Sequence, residues 1–140
     1  MPSPKLFKKD MSGLNSYALG RAGEALAAEF LKDKGFFISA KNYRYSIGEI
    51  DIIAENKYLV LFVEVKLRKE SAGYSPKEAV TIDKKRRILT AAKNYIYRSH
   101  TKLQPRFDVI EIVQKNDADL KNAEVNWIQN AFGVSNNGFF

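Results

Sequence analysis

Two short stretches dominate the pattern of hydrophobic and polar positions. Glu49-Ile50-Asp51-Ile52-Ile53 alternates before turning wholly apolar, and Leu59-Val60-Leu61-Phe62-Val63-Glu64-Val65-Lys66 is an apolar run broken near its end by two charges. Both read as strands with largely buried flanks. Only the polar link Glu55-Asn56-Lys57 lies between them, so they pair as an antiparallel hairpin that carries Asp51 back alongside Glu64. Upstream, Leu19, Ala22, Gly23, Leu26, Ala27 and Phe30 recur at helical spacing, with Asn15 or Ser16 as cap and Gly35 as terminator. Phe36-Phe37-Ile38 and Asn42-Tyr43-Arg44-Tyr45 predict a bent strand leading through a turn at Gly48.

Downstream, Ser75-Pro76-Lys77-Glu78 has the form of a capping box with proline at the first helical position. Helical character resumes from Asp83 to Arg98, with Ile88, Ala91, Ala92 and Tyr95 on one stripe and a kink expected near Val80 to Ile82. Arg106 to Val113 reads as a strand, Gln114 to Asn122 as a polar loop, and Val125 to Phe132 as a last element. Helix, three strands, helix and strand in that order imply an α/β or α+β domain, with helices covering the faces of one sheet.

Length and composition narrow this picture. The chain has 140 residues, 45% hydrophobic and 28% charged, which suits one soluble globular domain over 14–133, with a loose tail at 1–13 and another at 134–140. No apolar run approaches a membrane span, and the first sixteen residues lack the apolar stretch of a secretory signal, so a cytoplasmic location is expected. Cysteine is absent and His100 is the one histidine, so any metal would be held by oxygen, with Mg²⁺ or Mn²⁺ the natural choice. A net charge of +7 favours a polyanionic partner.

The chemistry concentrates at the hairpin. Asp51 precedes Glu64 by twelve intervening residues, and Lys66 follows two residues later. On a regular strand Glu49 and Asp51 share one face, and so do Glu64 and Lys66, at roughly 7 Å for a rise of about 3.4 Å per residue. Acids that interrupt apolar strands are costly unless a cation or strong hydrogen bonds hold them. A Mg²⁺ ion between Asp51 and Glu64, completed by the Val65 carbonyl and water, would meet that cost and supply a Lewis acid for a phosphate oxygen.

Lys66 beside it would stabilise phosphorane-like charge, orient water or, with its pKa lowered towards neutrality, serve as general base. Arg68 and Lys69 open a polar loop at the strand end, where substrate contacts are common. Lys84-Lys85-Arg86 begins the second helix, Lys84 extending its apolar stripe towards phosphate reach. Tyr43, Tyr45 and Tyr74 interleave with Arg44 and Lys77, a pattern suited to single-strand stacking, while Glu49 reads as an outer acid. Glu24 borders the first helix's stripe, and Asp108 sits among hydrophobic residues of a strand. Trp127 and Phe132 read as core or dimer contacts, which leaves a homodimer open.

Gly23-Glu24, Gly48-Glu49-Ile50-Asp51, Phe62-Val63-Glu64-Val65-Lys66-x-Arg68, Lys84, Arg106-Phe107-Asp108-Val109 and the closing Glu124-Val125-Asn126-Trp127-Ile128-x-x-Ala131-Phe132 together resemble the bacterial YraN-like family. The resemblance covers residues 14–133. It implies a restriction-endonuclease-like fold of the PD-(D/E)xK superfamily, related to Holliday-junction resolvases, with a mixed central sheet flanked by helices. It further implies metal-dependent hydrolysis of DNA phosphodiester bonds, branched DNA included, with the helix-borne Glu24 joining Asp51 and Glu64 as metal ligand and catalytic acid. Ile50 stands where the superfamily pattern has proline, a variant this family shares. Superfolds also host inactive binders, so a non-catalytic nucleic-acid-binding or protein-interaction module is the competing expectation.

Overall fold

A computed structural model describes residues 16–73, 80–135, 138 and 139. Helix α1 (Ser16–Asp33) buries Gly23, Ala27, Ala28 and Leu31. It ends where Gly35 adopts a φ of 95° and the Phe36 N–H donates back to the Leu31 carbonyl, a close that the left-handed residue makes possible. Strands β1 (Phe37–Tyr45), β2 (Gly48–Glu55) and β3 (Leu59–Lys69) follow as an antiparallel meander. A 3₁₀ turn (Glu70–Ala72), helix α2 (Ile82–Ser99), β4 (Gln104–Gln114) and β5 (Glu124–Phe132) complete the main body. Val134–Ser135 (β6) and Gly138–Phe139 (β7) form a small separate ladder within the segment expected to be a tail.

The main sheet runs β1-β2-β3-β4-β5, and only the β3–β4 pair is parallel. A parallel pair needs a crossover, which α2 provides. α1 covers one face, packing Ala27, Ala28 and Leu31 against Ile52, Leu61, Val63, Ile110 and Ile112. On the other face α2 packs Ile88, Ala91 and Ala92 against Ile50, Ile53, Val60, Phe62 and Val109. The result is a single α+β domain with a five-stranded mixed sheet, consistent with the restriction-endonuclease-like fold. No described helix is long and apolar enough to cross a membrane.

The helix start differs from expectation. α2 begins at Ile82, with Thr81 as its N-cap accepting from the Lys84 N–H at 3.1 Å, so the break near Val80 to Ile82 is a helix start. The capping box Ser75 to Glu78 lies outside the described residues. α2 also sits unusually close to β2. A Cβ placed on Gly48 would stand 2.4 Å from the Arg87 carbonyl oxygen and 2.9 Å from the Ala91 nitrogen, so this position has room only for glycine.

Strict two-residue alternation is interrupted at several places, among them the register shifts between Ile38 and Ala40 and between Phe107 and Val109, and one interruption lies at Asp51. Ile50 and Ile53, three residues apart, both enter the α2 cluster, as do Ala40 and Tyr43 on the neighbouring strand. The register pairs Lys41 with Ile52 and Tyr43 with Ile50, so the two interruptions meet where Asn42 faces Asp51. Asn42 has a φ of 51°, a left-handed backbone inside a strand. Ile50 and Ile52 lie in clusters on opposite faces of the sheet, so simple alternation breaks at Asp51.

Candidate functional site

The β2–β3 hairpin is tight at its turn and forked at its other end. Asn56 Oδ1 accepts from the Tyr58 and Leu59 N–H groups at 2.8 Å each and closes the turn. Pairing then runs from Glu55↔Val60 to Ile52↔Val63 and stops. Beyond it β2 stays with β1 while β3 continues against β4 as far as Lys69↔Gln114. The Val65 N–H, which an unbroken ladder would give to a β2 carbonyl, donates to Asp51 Oδ2 at 2.8 Å. One carboxylate thus replaces a backbone partner, and the fork opens around it.

Glu64 stands beside Asp51 in this fork and is only 7% exposed. β3 alternates regularly, with Val60 and Phe62 in the α2 cluster and Leu61 and Val63 in the α1 cluster, so Glu64, Lys66 and Arg68 succeed one another on the α2 side. Burial pushes the Glu64 carboxyl up to about 8, reinforced by the Asp51 charge and opposed by Lys84. Asp51 is raised too, mainly by burial, while the Val65 N–H and Lys84 pull it down. Each carboxyl acts on the other, raising Glu64 further and lowering Asp51, so the proton of the pair rests on Glu64. Glu64 Oε1 is buried with no donor. Two acids forced together, one holding a proton and one oxygen orphaned, is the electrostatic pattern a cation relieves.

Glu24 approaches from α1. Burial and the Asp51 charge raise its pKa, and a hydrogen bond from the Asn42 side chain and the charge of Arg21 draw it down. It belongs to the same electrostatic cluster, yet among the described residues no three acidic or histidine side chains are gathered closely enough to form a ready-made metal cage. Glu49 is at the margin, bonded to Arg44 at 3.2 Å, and its charge raises both Glu24 and Asp51.

The cations divide. Lys84 Nζ lies 3.8 Å from Glu64 Oε2, so the helix lysine expected to reach outward for phosphate faces the acid pair. Lys66 is half-buried opposite Glu111 in the ladder, and its charge slightly favours ionised Glu64. Arg68 Nε lies 3.7 Å from Glu111 Oε2 and is buried without a hydrogen bond. Lys69 pairs with Asp117 at 3.9 Å, Lys85 lies 5.5 Å from the Phe132 ring centroid, and Arg86 is exposed on α2. The structure therefore brings together Asp51, Glu64, Lys66, Lys84 and, at one remove, Glu24, and leaves Arg44, Lys69 and Arg86 around the periphery.

Asp108 is a structural acid. Fully buried, it accepts from Arg106 Nε at 2.9 Å and Nη2 at 2.8 Å, Trp127 Nε1 at 2.9 Å and the Asn130 N–H at 2.9 Å, tying β5 to β4. Trp127 and Phe132 are core residues: Trp127 packs edge-on against Phe30 and Phe36, and Phe132 stacks on Phe107. Tyr43 points inward and bonds Asn94 at 2.5 Å while Tyr45 is exposed, and Tyr74 and Lys77 lie outside the described residues. The sequence reading passed over Glu111 and Asn42. Glu111 has no local signature, since only the parallel register sets it across from Lys66. Asn42 carried a faint one, asparagine being among the few residues that tolerate left-handed backbone.

Residues 23–112 match the model of the uncharacterised protein family UPF0102, a span enclosing every acid and lysine of the fork. The chain is 44% identical over 123 residues to a UPF0102 protein of Caldanaerobacter subterraneus subsp. tengcongensis, covering 87% of this chain and all of that protein. It is 43% identical over 118 residues to a UPF0102 protein of Syntrophotalea carbinolica, covering 84% and 93%. To one of Clostridium botulinum it is 40% identical over 118 residues, covering 83% and 94%.

Proposed function

The chain belongs to the uncharacterised protein family UPF0102, and from that premise we infer that it is a metal-dependent nuclease acting on DNA, branched DNA included. The observation that carries this reading is the buried Asp51–Glu64 pair at the mouth of the β2–β3 fork, with Glu64 held protonated and its Oε1 without a partner. Burying two facing carboxyls weakens the fold unless they gain a ligand, and the oxygen donor set suits Mg²⁺ or Mn²⁺. Asp51 and Glu64 would hold the ion, with Glu24 drawn in from α1. When bound, such an ion supplies a Lewis acid for a phosphate oxygen and lowers the pKa of a bound water.

The chain's own residues do the rest. Lys84 keeps a positive charge against Glu64 and favours its ionised form. Lys66, two residues along the same strand face, offers N–H donors to a phosphate oxygen whose charge grows in the transition state. Arg68, held by Glu111, and the exposed Arg86, with Arg44, Lys69 and Lys85 around them, provide the cationic surroundings that a phosphodiester backbone needs. The test is incubation of the purified protein with branched, single-stranded and duplex DNA in Mg²⁺ or Mn²⁺. Cleavage that needs the metal and disappears in Asp51→Ala is expected; its absence on every substrate sinks the reading.

A second reading, nucleic-acid binding without hydrolysis, is favoured by the lack of a preassembled three-ligand cage among the described residues. It predicts binding whose logarithm falls by about 0.9 per neutralised phosphate against the logarithm of salt on duplex DNA, unchanged by Asp51→Ala.

A further inference from the structure

Glu111 is an acid set among cations. Along β3, Lys66 and Arg68 follow Glu64 on the face that α2 covers, and Lys84 in the first turn of α2 already stands over Glu64, so both lie past the helix start. Glu111 enters this patch from β4, opposite Lys66 in the parallel register. By bulk charge alone, an acid there weakens the hold on a polyanion. Its contacts give it another role. Glu111 Oε2 stands 3.7 Å from Arg68 Nε, while Oε1 accepts from Asn126 Nδ2 at 3.1 Å. The carboxylate is thus held between β3 and β5, near enough to anchor the guanidinium by charge and too far to take its Nε–H. Arg68 Nε is buried with no hydrogen-bond partner, and Nη1 meets the Gly73 carbonyl only at 3.5 Å. Arg106, the other arginine in a largely buried ion pair, differs, because Asp108 takes its Nε–H and Nη2–H in full hydrogen bonds.

We propose that Glu111 is a positioning residue that anchors the Arg68 guanidinium on the sheet, so that Arg68 grips a phosphate flanking the one held at Asp51 and Glu64. Arg68 is suited to this: it is fixed by charge, keeps donors uncommitted, and leaves 19% of its side-chain surface open. At about 3.4 Å per residue it lies about 14 Å along the strand from Glu64, so its target is a neighbouring phosphate of the same nucleic-acid strand. Anchoring removes rotamer freedom before the ligand arrives, which is how a preorganised donor strengthens a contact. The proposal rests on the nucleic-acid reading of the site.

Glu111→Gln removes the charge while keeping the side chain's length and an oxygen for Asn126. Affinity for a labelled DNA duplex, measured in EDTA at low salt, then separates two accounts by sign. Bulk charge alone makes Glu111→Gln bind more tightly, whereas loss of the anchor makes it bind about tenfold more weakly. Arg68→Ala should weaken binding as well and lower the salt slope by about 0.9. In the Arg68→Ala background the sign should reverse, with Glu111→Gln now tightening binding, because only its repulsion of phosphate is left to remove. The double variant also lacks the stranded buried charge that could unfold Glu111→Gln, so this comparison stands even if the single variant folds poorly. Tighter or unchanged binding by Glu111→Gln alone, or a double variant no tighter than Arg68→Ala, overturns the proposal. The sign reversal without Mg²⁺-dependent cleavage removes the hydrolase reading and leaves this one standing, while cleavage without the reversal removes this one alone. A wild type that binds no DNA removes both.

Discussion

Glu64 should make the metal-free protein less stable as pH rises, the opposite of what a salt-bridged carboxylate does. Its carboxyl titrates at 4.5 when unfolded and at about 8 when folded. Below 4.5 both states hold the proton and the site costs nothing. Between those values the unfolded chain releases its proton while the folded chain keeps it, so stability falls steadily with pH. Above about 8 both are ionised and the full penalty is present. At 1.36 kcal/mol for each tenfold change in proton affinity, the loss is of order 5 kcal/mol, against a total stability of about 5–15 kcal/mol.

Glu64→Gln keeps the shape and removes the charge. Urea unfolding in EDTA between pH 5 and 8.5 should show wild type and Glu64→Gln close together at the acid end, with the variant the more stable at the alkaline end. Asp51, also raised, contributes whatever slope the variant retains. Adding Mg²⁺ or Mn²⁺ at pH 8.5 should restore the wild type by about 2.7 kcal/mol at a hundredfold excess over Kd and leave Glu64→Gln nearly unchanged. Parallel pH curves for the two proteins would refute the account of a buried, proton-holding acid.

Three other outcomes follow from the contacts. Asp108→Ala strands the Arg106 guanidinium and the Trp127 and Asn130 N–H groups, so urea unfolding should show a loss of about 3–5 kcal/mol. Gly48→Ala forces a methyl group against the Arg87 carbonyl oxygen and should cost about 1–3 kcal/mol in thermal or urea unfolding as α2 lifts from β2. Lys66→Ala should slow DNA cleavage with affinity retained, whereas Arg86→Ala should weaken binding and lower its salt slope by about 1; equal loss of both properties in both variants would point to misfolding.

The hairpin was legible because its causes are local. Two apolar runs separated by three polar residues have few ways to pair, and Asn56 closes their turn with its own side chain. Both helical stripes were legible for the same reason: Leu31 with Ala27 and Ala28, and Ile88 with Ala91 and Ala92, recur at the spacing their burial requires. Asp51, Glu64 and Lys66 stood out as charges inside apolar strands. What could not be read was which partner each charged side chain would find. Asp108 looked much like Asp51, a strand acid among hydrophobics, yet meets four N–H donors where Asp51 meets one and another acid.

By itself, the order of apolar and polar residues determined the elements, the antiparallel hairpin and the nearness of Asp51 to Glu64, since each depends on residues close in the chain. Tertiary structure decided the parallel join of β3 to β4, the fork where Asp51 takes the Val65 N–H, the inward turn of Lys84 and the placing of Glu24 from the opposite face. Those features depend on how distant segments share one core, where a left-handed Asn42 or a missing Cβ at Gly48 moves a strand or a helix by an amount no local pattern records.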